Sequence, residues 1–452
     1  MAGILTLGAY GFLALQSVDD GTAQLTHLLG VCGPAVLLVL VLFEGHRRGY
    51  FSFSVWTVLL YAVLFRAVGL ASFPVLEDDF YRYLWDGWQT VQGGSPYGVP
   101  PAAYFDVDLV APWSEVLDGI NYPDVPTVYG PSAQWLFALA YHVAPGAVWP
   151  VQLFAALADI WVIVLLARLA PVRWVLLYAW SPLLIKEAAF TGHFDVVGVA
   201  LVVSALFLRL RYAEADQRTW VGVAVGVLVA LACGIKVFAF LAVPFLIQAD
   251  WRAALAYLAT LVVIAWPFGL IEAWFPAGLS AMGQDWVFNA PLYILVGNTF
   301  GLEAFAAAKL VAACLFCLLC VFIFLRTCSQ ALWPLQQTLK RPGPGVHPDS
   351  YLDALTVLFG ALMFVLPAFN PWYLTWWLAL AVLRPSFTAW TCSVVLLLSY
   401  ASGINLADPS LRLYQHPTWV LLIEYGCILA AMIVDCVRAI LYPSASLRKS
   451  NA

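Results

Sequence analysis

Long apolar runs broken by short polar stretches recur from one end of the chain to the other. A helix needs about 20 predominantly apolar residues to cross the hydrocarbon core. Within lipid the backbone must satisfy its own hydrogen bonds, so each run is expected to be helical. The pattern predicts crossings at 3–17, 27–44, 53–72, 149–168, 174–190, 195–212, 219–234, 236–249, 253–271, 302–325, 351–368, 372–384, 387–403 and 418–439. Several are short, so the expected fold is an all-α, polytopic transmembrane bundle of about 11–14 helices, one domain over 1–452. Gly234-Ile235-Lys236 falls midway in 219–249. It predicts two short helices meeting at the outer face, with one long tilted helix as the alternative.

Lys and Arg in short loops mark the cytoplasmic side. They cluster at Arg47/Arg48, Arg168/Arg173, Arg209/Arg211/Arg218, Arg252, Arg326/Lys340/Arg341, Arg384 and Arg448/Lys449. The loops between these clusters are poor in Lys and Arg, the longest being 73–131. The alternation puts that loop outside the cytoplasm and both termini, with the Pro/Gly-rich loop 330–349, inside it. With Arg47 and Arg168 both cytoplasmic, the segment 132–146 cannot cross. It is expected to be re-entrant or interfacial, packed on the loop before it. The first run, Gly3 to Gln16, lacks a basic start and ends at Val18-Asp19-Asp20, which favours a first membrane helix over a cleaved signal.

Composition agrees. Hydrophobic residues make up 63% of the 452 and charged residues 10%, against roughly 25% charged in soluble domains. Lipid accounts for the difference. A net charge of −5 gives no basis for binding nucleic acid, and no phosphate-cradling or H-E-x-x-H motif is present. Of nine cysteines, Cys314, Cys317 and Cys320 recur every third residue in an unbroken apolar run. Without His or acidic neighbours they are expected to pack in the core.

Candidate chemistry concentrates in 73–131, a loop far longer than ordinary connections and rich in aromatic residues, which argues for function rather than disorder. It carries Glu77-Asp78-Asp79 directly after an apolar run. Adjacent carboxylates repel, which raises at least one pKa and suits a general base. The same acids also suit the first turn of an amphipathic helix over Phe80–Gln92, and both roles are open. Tyr81, Tyr83, Trp85, Trp88 and Tyr97 fit either interfacial anchors or a saccharide surface. Their interleaving with Arg82, Asp86 and Asn121 favours the latter.

Three further groups stand out. Lys186-Glu187 with His193 and Asp195 puts ionisable residues at an outer helix junction, where a functional role is the default expectation and a structural ion pair the alternative. Arg66 and Lys236 lie inside apolar runs and are the best candidates to hold a lipid phosphate, although Lys236 can also snorkel. Asn370-Pro371-Trp372-Tyr373 breaks the chain between two apolar spans, as expected for a cavity lining or an aromatic belt.

Together these pieces resemble the GT-C superfamily of multispan glycosyltransferases. The nearest likeness is to bacterial polyprenol-phosphate-mannose-dependent mannosyltransferases, near glycosyltransferase family 87. The resemblance rests on Asp78-Asp79-x-Tyr81-Arg82-Tyr83-Leu84-Trp85-Asp86-Gly87, Gly94-Ser95-Pro96-Tyr97, Thr127-Val128-Tyr129-Gly130-Pro131, Lys186-Glu187 with Gly192-His193-x-Asp195, Gly234-Ile235-Lys236 and Asn370-Pro371-Trp372-Tyr373. It spans roughly residues 53 to 385. Three apolar runs precede the acidic loop here, where related proteins have one short helix.

The resemblance implies an inverting transfer of a hexose, with mannose the closest match, from a polyprenyl-phosphate donor to a lipid or glycan hydroxyl at the outer face of a bacterial plasma membrane. It implies a base at Asp79 or Asp78, with Asp79 preferred because Tyr83 lies four residues on. Arg82, His193, Lys236 and Arg66 would hold the phosphate. Tyr83, Trp85, Asp86, Tyr97, Tyr129, Glu187, Asp195, Asn370, Trp372 and Tyr373 would contact substrate with Arg82 and His193. No cofactor is expected, and a divalent cation is not required. A lipid-linked glycan transporter predicts internal repeats that are not visible here. A ligase-like transferase with a diphosphate-linked donor is the other alternative.

Overall fold

The computed structural model describes residues 1–19, 21–212, 218–247, 250–337 and 348–441. Among these residues the chain is all-α, and no strand forms. The helices Gly21–Arg47, Trp149–Ala167, Trp251–Phe268, Glu303–Thr327 and Thr418–Leu441 are long and apolar enough to cross a membrane. Pro182–Phe190 and Asp195–Arg211 make a sixth crossing if they are one span bent by 112°. The other expected crossings fold as shorter apolar helices: Ala2–Leu15, Val55–Gly69, Thr219–Ile235, Val237–Leu246, Tyr351–Val365, Pro371–Leu383 and Phe387–Tyr400. Every predicted apolar run is therefore helical, and the chain is a polytopic membrane protein. The full-length crossings are fewer than the predicted 11–14 helices, because several runs are broken or shortened inside the bundle.

The breaks have local causes. Gly192 takes φ +75 with the Gln152 backbone beside it, a conformation that glycine adopts without a Cβ penalty. The Gln152 amide donates to the Phe190 carbonyl at 3.0 Å and the Ser72 carbonyl at 3.2 Å, serving backbone groups near the bend. Lys236 is extended, with φ −151 and ψ 140, and separates Arg218–Ile235 from the turn Val237–Ala242. This is the two-helix reading of 219–249. Asn370 is extended before Pro371, as the proline ring requires.

The long loop is ordered by its own short helices, Asp79–Val91, Pro101–Tyr104 and Trp113–Asp118. Asp86 is fully buried and ties the loop together. It accepts from Arg82 Nε at 2.9 Å, from the Thr127 hydroxyl and from the Gln134 amide at 3.0 Å. The helix Pro131–Val143 packs on Asp79–Val91, as expected for the segment 132–146. Phe137 stacks on Tyr83 at 4.9 Å, and a Cβ on Gly87 would lie 2.5 Å from the Phe137 carbonyl oxygen.

Three expectations change here. Arg66 is fully buried. Its guanidinium donates to Asp159 at 2.8 and 2.6 Å and to the Ala62 and Ala179 carbonyls. A buried arginine with these partners holds helices together and is not presented to a phosphate. Cys314 and Cys317 are exposed on a helix whose apolar window has no buried residues, so they do not pack in the core. The expected loop 330–349 is partly helical, since Leu302–Gln337 and Pro348–Val365 enter it from either side. Its residues 338–347 lie outside the described residues.

Candidate functional site

A cavity of about 780 Å³ opens where the acidic loop, the Lys236 break, the Asn370 break and the 399–414 region meet. Its size is in the range of about 300–1,000 Å³ usual for ligand sites. Glu77, Asp78 and Asp79 line it together. Asp78 stands at the N-terminus of Asp79–Val91, but its side chain makes no capping bond. Its carboxylate turns to the Asn121 amide and the Tyr414 hydroxyl, each at 2.8 Å. The Asn121 amide also reaches Asp79, at 3.3 Å.

His193 connects these acids to the bent span. Its Nδ1 lies 2.6 Å from a Glu187 oxygen, which orients the ring. Nε2 then lies 3.7 Å from Glu77 and 3.8 Å from Asp79, in electrostatic range but beyond hydrogen-bond length. The ring stacks on Trp372 at 4.1 Å and 12°. Glu187 is held by the Tyr400 hydroxyl and faces Lys186 at 3.5 Å. Lys236 lies 3.0 Å from Asp195 and sits 4.3 Å over the Tyr373 ring, and the Trp376 indole donates to the other Asp195 oxygen at 3.0 Å.

The three loop acids differ in proton affinity. Burial pushes Glu77 from 4.5 up to about 8, reinforced by Asp79 and Asp78 against the pull of His193. Burial also pushes Asp78 from 3.8 up to about 6, with Asp79 adding to the rise. Asp79, half-buried, is desolvated too, but His193, Asn121 and Lys236 together hold it below its ordinary value. Asp79, which lines the cavity, is thus the one of the three acids whose proton affinity is lowered. The donor atoms of Glu77, Asp79 and His193 all lie within 4.8 Å of one another, so these three could also hold a metal ion.

Of the residues singled out from sequence, Asp78, Asp79, Arg82, Tyr129, Lys236, Asn370, Trp372 and Tyr373 line the cavity. His193 and Asp195 reach it through Asp79 and Lys236, and Glu187 through His193. Four other expected substrate contacts neither line it nor reach it in this way. Trp85 is fully buried between Trp88 and Tyr104. Tyr83 packs on Tyr129, Phe137 and Phe194. Tyr97 packs on Phe268. Asp86 is occupied by its three donors. These residues shape the loop, and their aromatic character served packing.

Tyr122, Tyr400 and Tyr414 line the cavity without having been chosen from sequence. Tyr414 bonds to Asp78 across 336 positions and Tyr400 to Glu187 across 213. No local pattern announces such pairs. Glu77 was visible in the acidic triplet, but its own role was not.

Residues 8–252, more than half of the chain, match the protein family described as "Alpha-(1->6)-mannopyranosyltransferase, N-terminal domain". That stretch includes the acidic loop, Glu187, His193 and Lys236. The chain is also similar to a curated protein of Mycolicibacterium smegmatis described as "Probable alpha-(1->6)-mannopyranosyltransferase". The two are 25% identical over 400 residues, covering 76% of this chain and 67% of that relative. No solved structure matches.

Proposed function

The chain belongs to the alpha-(1->6)-mannopyranosyltransferase family and is a membrane mannosyltransferase, and from that premise we propose that its donor is a polyprenyl-phosphate mannose, used with inversion at the extracytoplasmic face of a bacterial plasma membrane. The observation that supports this most is the place of Asp79 on the cavity wall, with His193 Nε2 at 3.8 Å and the Asn121 amide at 3.3 Å.

In this reading Asp79 takes the proton from an acceptor hydroxyl. The freed oxygen attacks the anomeric carbon from the face opposite the phosphate. The glycosidic carbon–oxygen bond breaks as the new one forms, and its electrons leave with the lipid phosphate. Lys236, on Asp195 and Tyr373, meets the phosphate charge, with Arg82 as the other cation on the wall. Phosphate is a good leaving group, so preorganised cations can do the work of a general acid. Glu187 fixes the His193 ring, so that Nε2 stands in electrostatic range of both Glu77 and Asp79. No metal is required, so a chelator is expected to leave transfer unchanged. Loss of activity restored by a divalent cation would instead call for a metal, which Glu77, Asp79 and His193 could hold. Family membership gives the transporter reading no support.

The test is transfer of labelled mannose from a polyprenyl-phosphate donor to a membrane lipid extract by the purified full chain in lipid. Asp79→Asn is expected to lower the rate by about 10²–10⁴, the usual contribution of a general base. Asp78→Asn is expected to retain most of it. The reverse order would make Asp78 the base.

A further inference from the structure

Tyr122, Trp286 and Tyr414 come from three separate loops and converge on the Asp78 side of the cavity. The Tyr122 and Trp286 rings lie 4.7 Å apart, and Tyr122 and Tyr414 stack at 6.2 Å and 28°. All three line the cavity, so they are not simply a lipid-facing belt. Tyr122 is 44% exposed and offers ring surface that no protein group covers.

The backbone supports the same point. Tyr122 has φ 52 and Tyr414 φ 61, the left-handed region that bulky side chains rarely enter. Strain of this kind persists where the surroundings enforce it, and it gathers at binding sites. Polar groups flank the rings. Asn121 precedes Tyr122 and donates to Asp78, and the Tyr414 hydroxyl donates to the other Asp78 oxygen. Aromatic faces beside a carboxylate and an amide suit a pyranose, whose C–H face covers a ring while its hydroxyls bond at the edge.

We infer that Tyr122, Trp286 and Tyr414 form an acceptor-side platform that stacks a saccharide ring of the acceptor, with Asp78 and Asn121 taking its hydroxyls. This rests on the transferase reading above, and it assigns the acceptor to one wall of the cavity. The sugar on the platform brings the next hydroxyl to Asp79, whose carboxylate shares Asn121 with Asp78.

The experiment is equilibrium binding of a tritiated α-mannoside trisaccharide to the full chain in lipid nanodiscs, without donor. Tyr122→Ala and Trp286→Ala are each expected to raise Kd about tenfold, the loss of one aromatic contact. Tyr122→Phe and Trp286→Phe keep a ring and are expected to stay within about threefold. Equal binding by wild type and both alanine variants would overturn the platform, as would no binding by wild type. Weak binding by the phenylalanine variants as well would make the rings structural and overturn it too. Binding of polyprenyl-phosphate mannose, measured separately on the wild type, reports on the donor reading alone.

Discussion

At the scale of single residues, the acidic triplet shows one motif serving three uses. Glu77, Asp78 and Asp79 are neighbours in sequence, yet each meets a different field. Glu77 is buried against His193, Asp78 is held by Asn121 and Tyr414, and Asp79 sits among the positive groups. Glu77 also makes a prediction about stability. Its folded-state affinity for a proton is raised, so the folded state gains from protonation. That gain is complete below about 4.5 and is lost as pH rises through about 8. Melting temperature across this window is expected to fall more steeply for wild type than for Glu77→Gln. Parallel curves would mean that Glu77 titrates normally. Arg66 shows the opposite lesson. A cation in an apolar run promised a ligand site, but Asp159 and two carbonyls had already taken its donors.

At the scale of elements, the site is built from interruptions. The bend after Phe190, the extended Lys236 and the Asn370-Pro371 step each turn polar groups toward one cavity. Irregular backbone at such depth is tolerated where protein or a wet cavity satisfies it. Gly192 is the hinge that can be tested. A Cβ there would lie 3.1 Å from the Gln152 side chain and backbone, in a left-handed conformation. Gly192→Ala is expected to cost about 1–2 kcal/mol. It should also reduce transfer, because His193 follows directly. A variant with unchanged melting temperature and transfer rate would show that the bend has no such tension.

At the scale of the whole molecule, the question is which side of the membrane the cavity faces. Charge alternation predicts that 73–131 lies outside the cytoplasm. Val110 in this loop is 76% exposed. In intact cells, Val110→Cys is expected to react with a membrane-impermeant maleimide, with the wild-type chain as the background control. Labelling only after permeabilisation would put the loop and its acids on the cytoplasmic side.

The sequence by itself determined the membrane class and the helical nature of every apolar run, because hydrophobic length and backbone self-satisfaction are local properties. It also marked the acidic loop, Lys186–Asp195, Lys236 and Asn370–Tyr373 as candidates for chemistry, since charges and breaks in apolar runs are conspicuous wherever they fold. Only the tertiary structure decided which of these residues share a cavity. Trp85 and Tyr97 read like a sugar surface and became packing, whereas Tyr122 and Tyr414 read as ordinary aromatics and became part of the cavity wall. The physical reason is that a side chain's role follows from its partners. The partners that matter here, Tyr414 for Asp78 and Tyr400 for Glu187, lie hundreds of positions away in the chain.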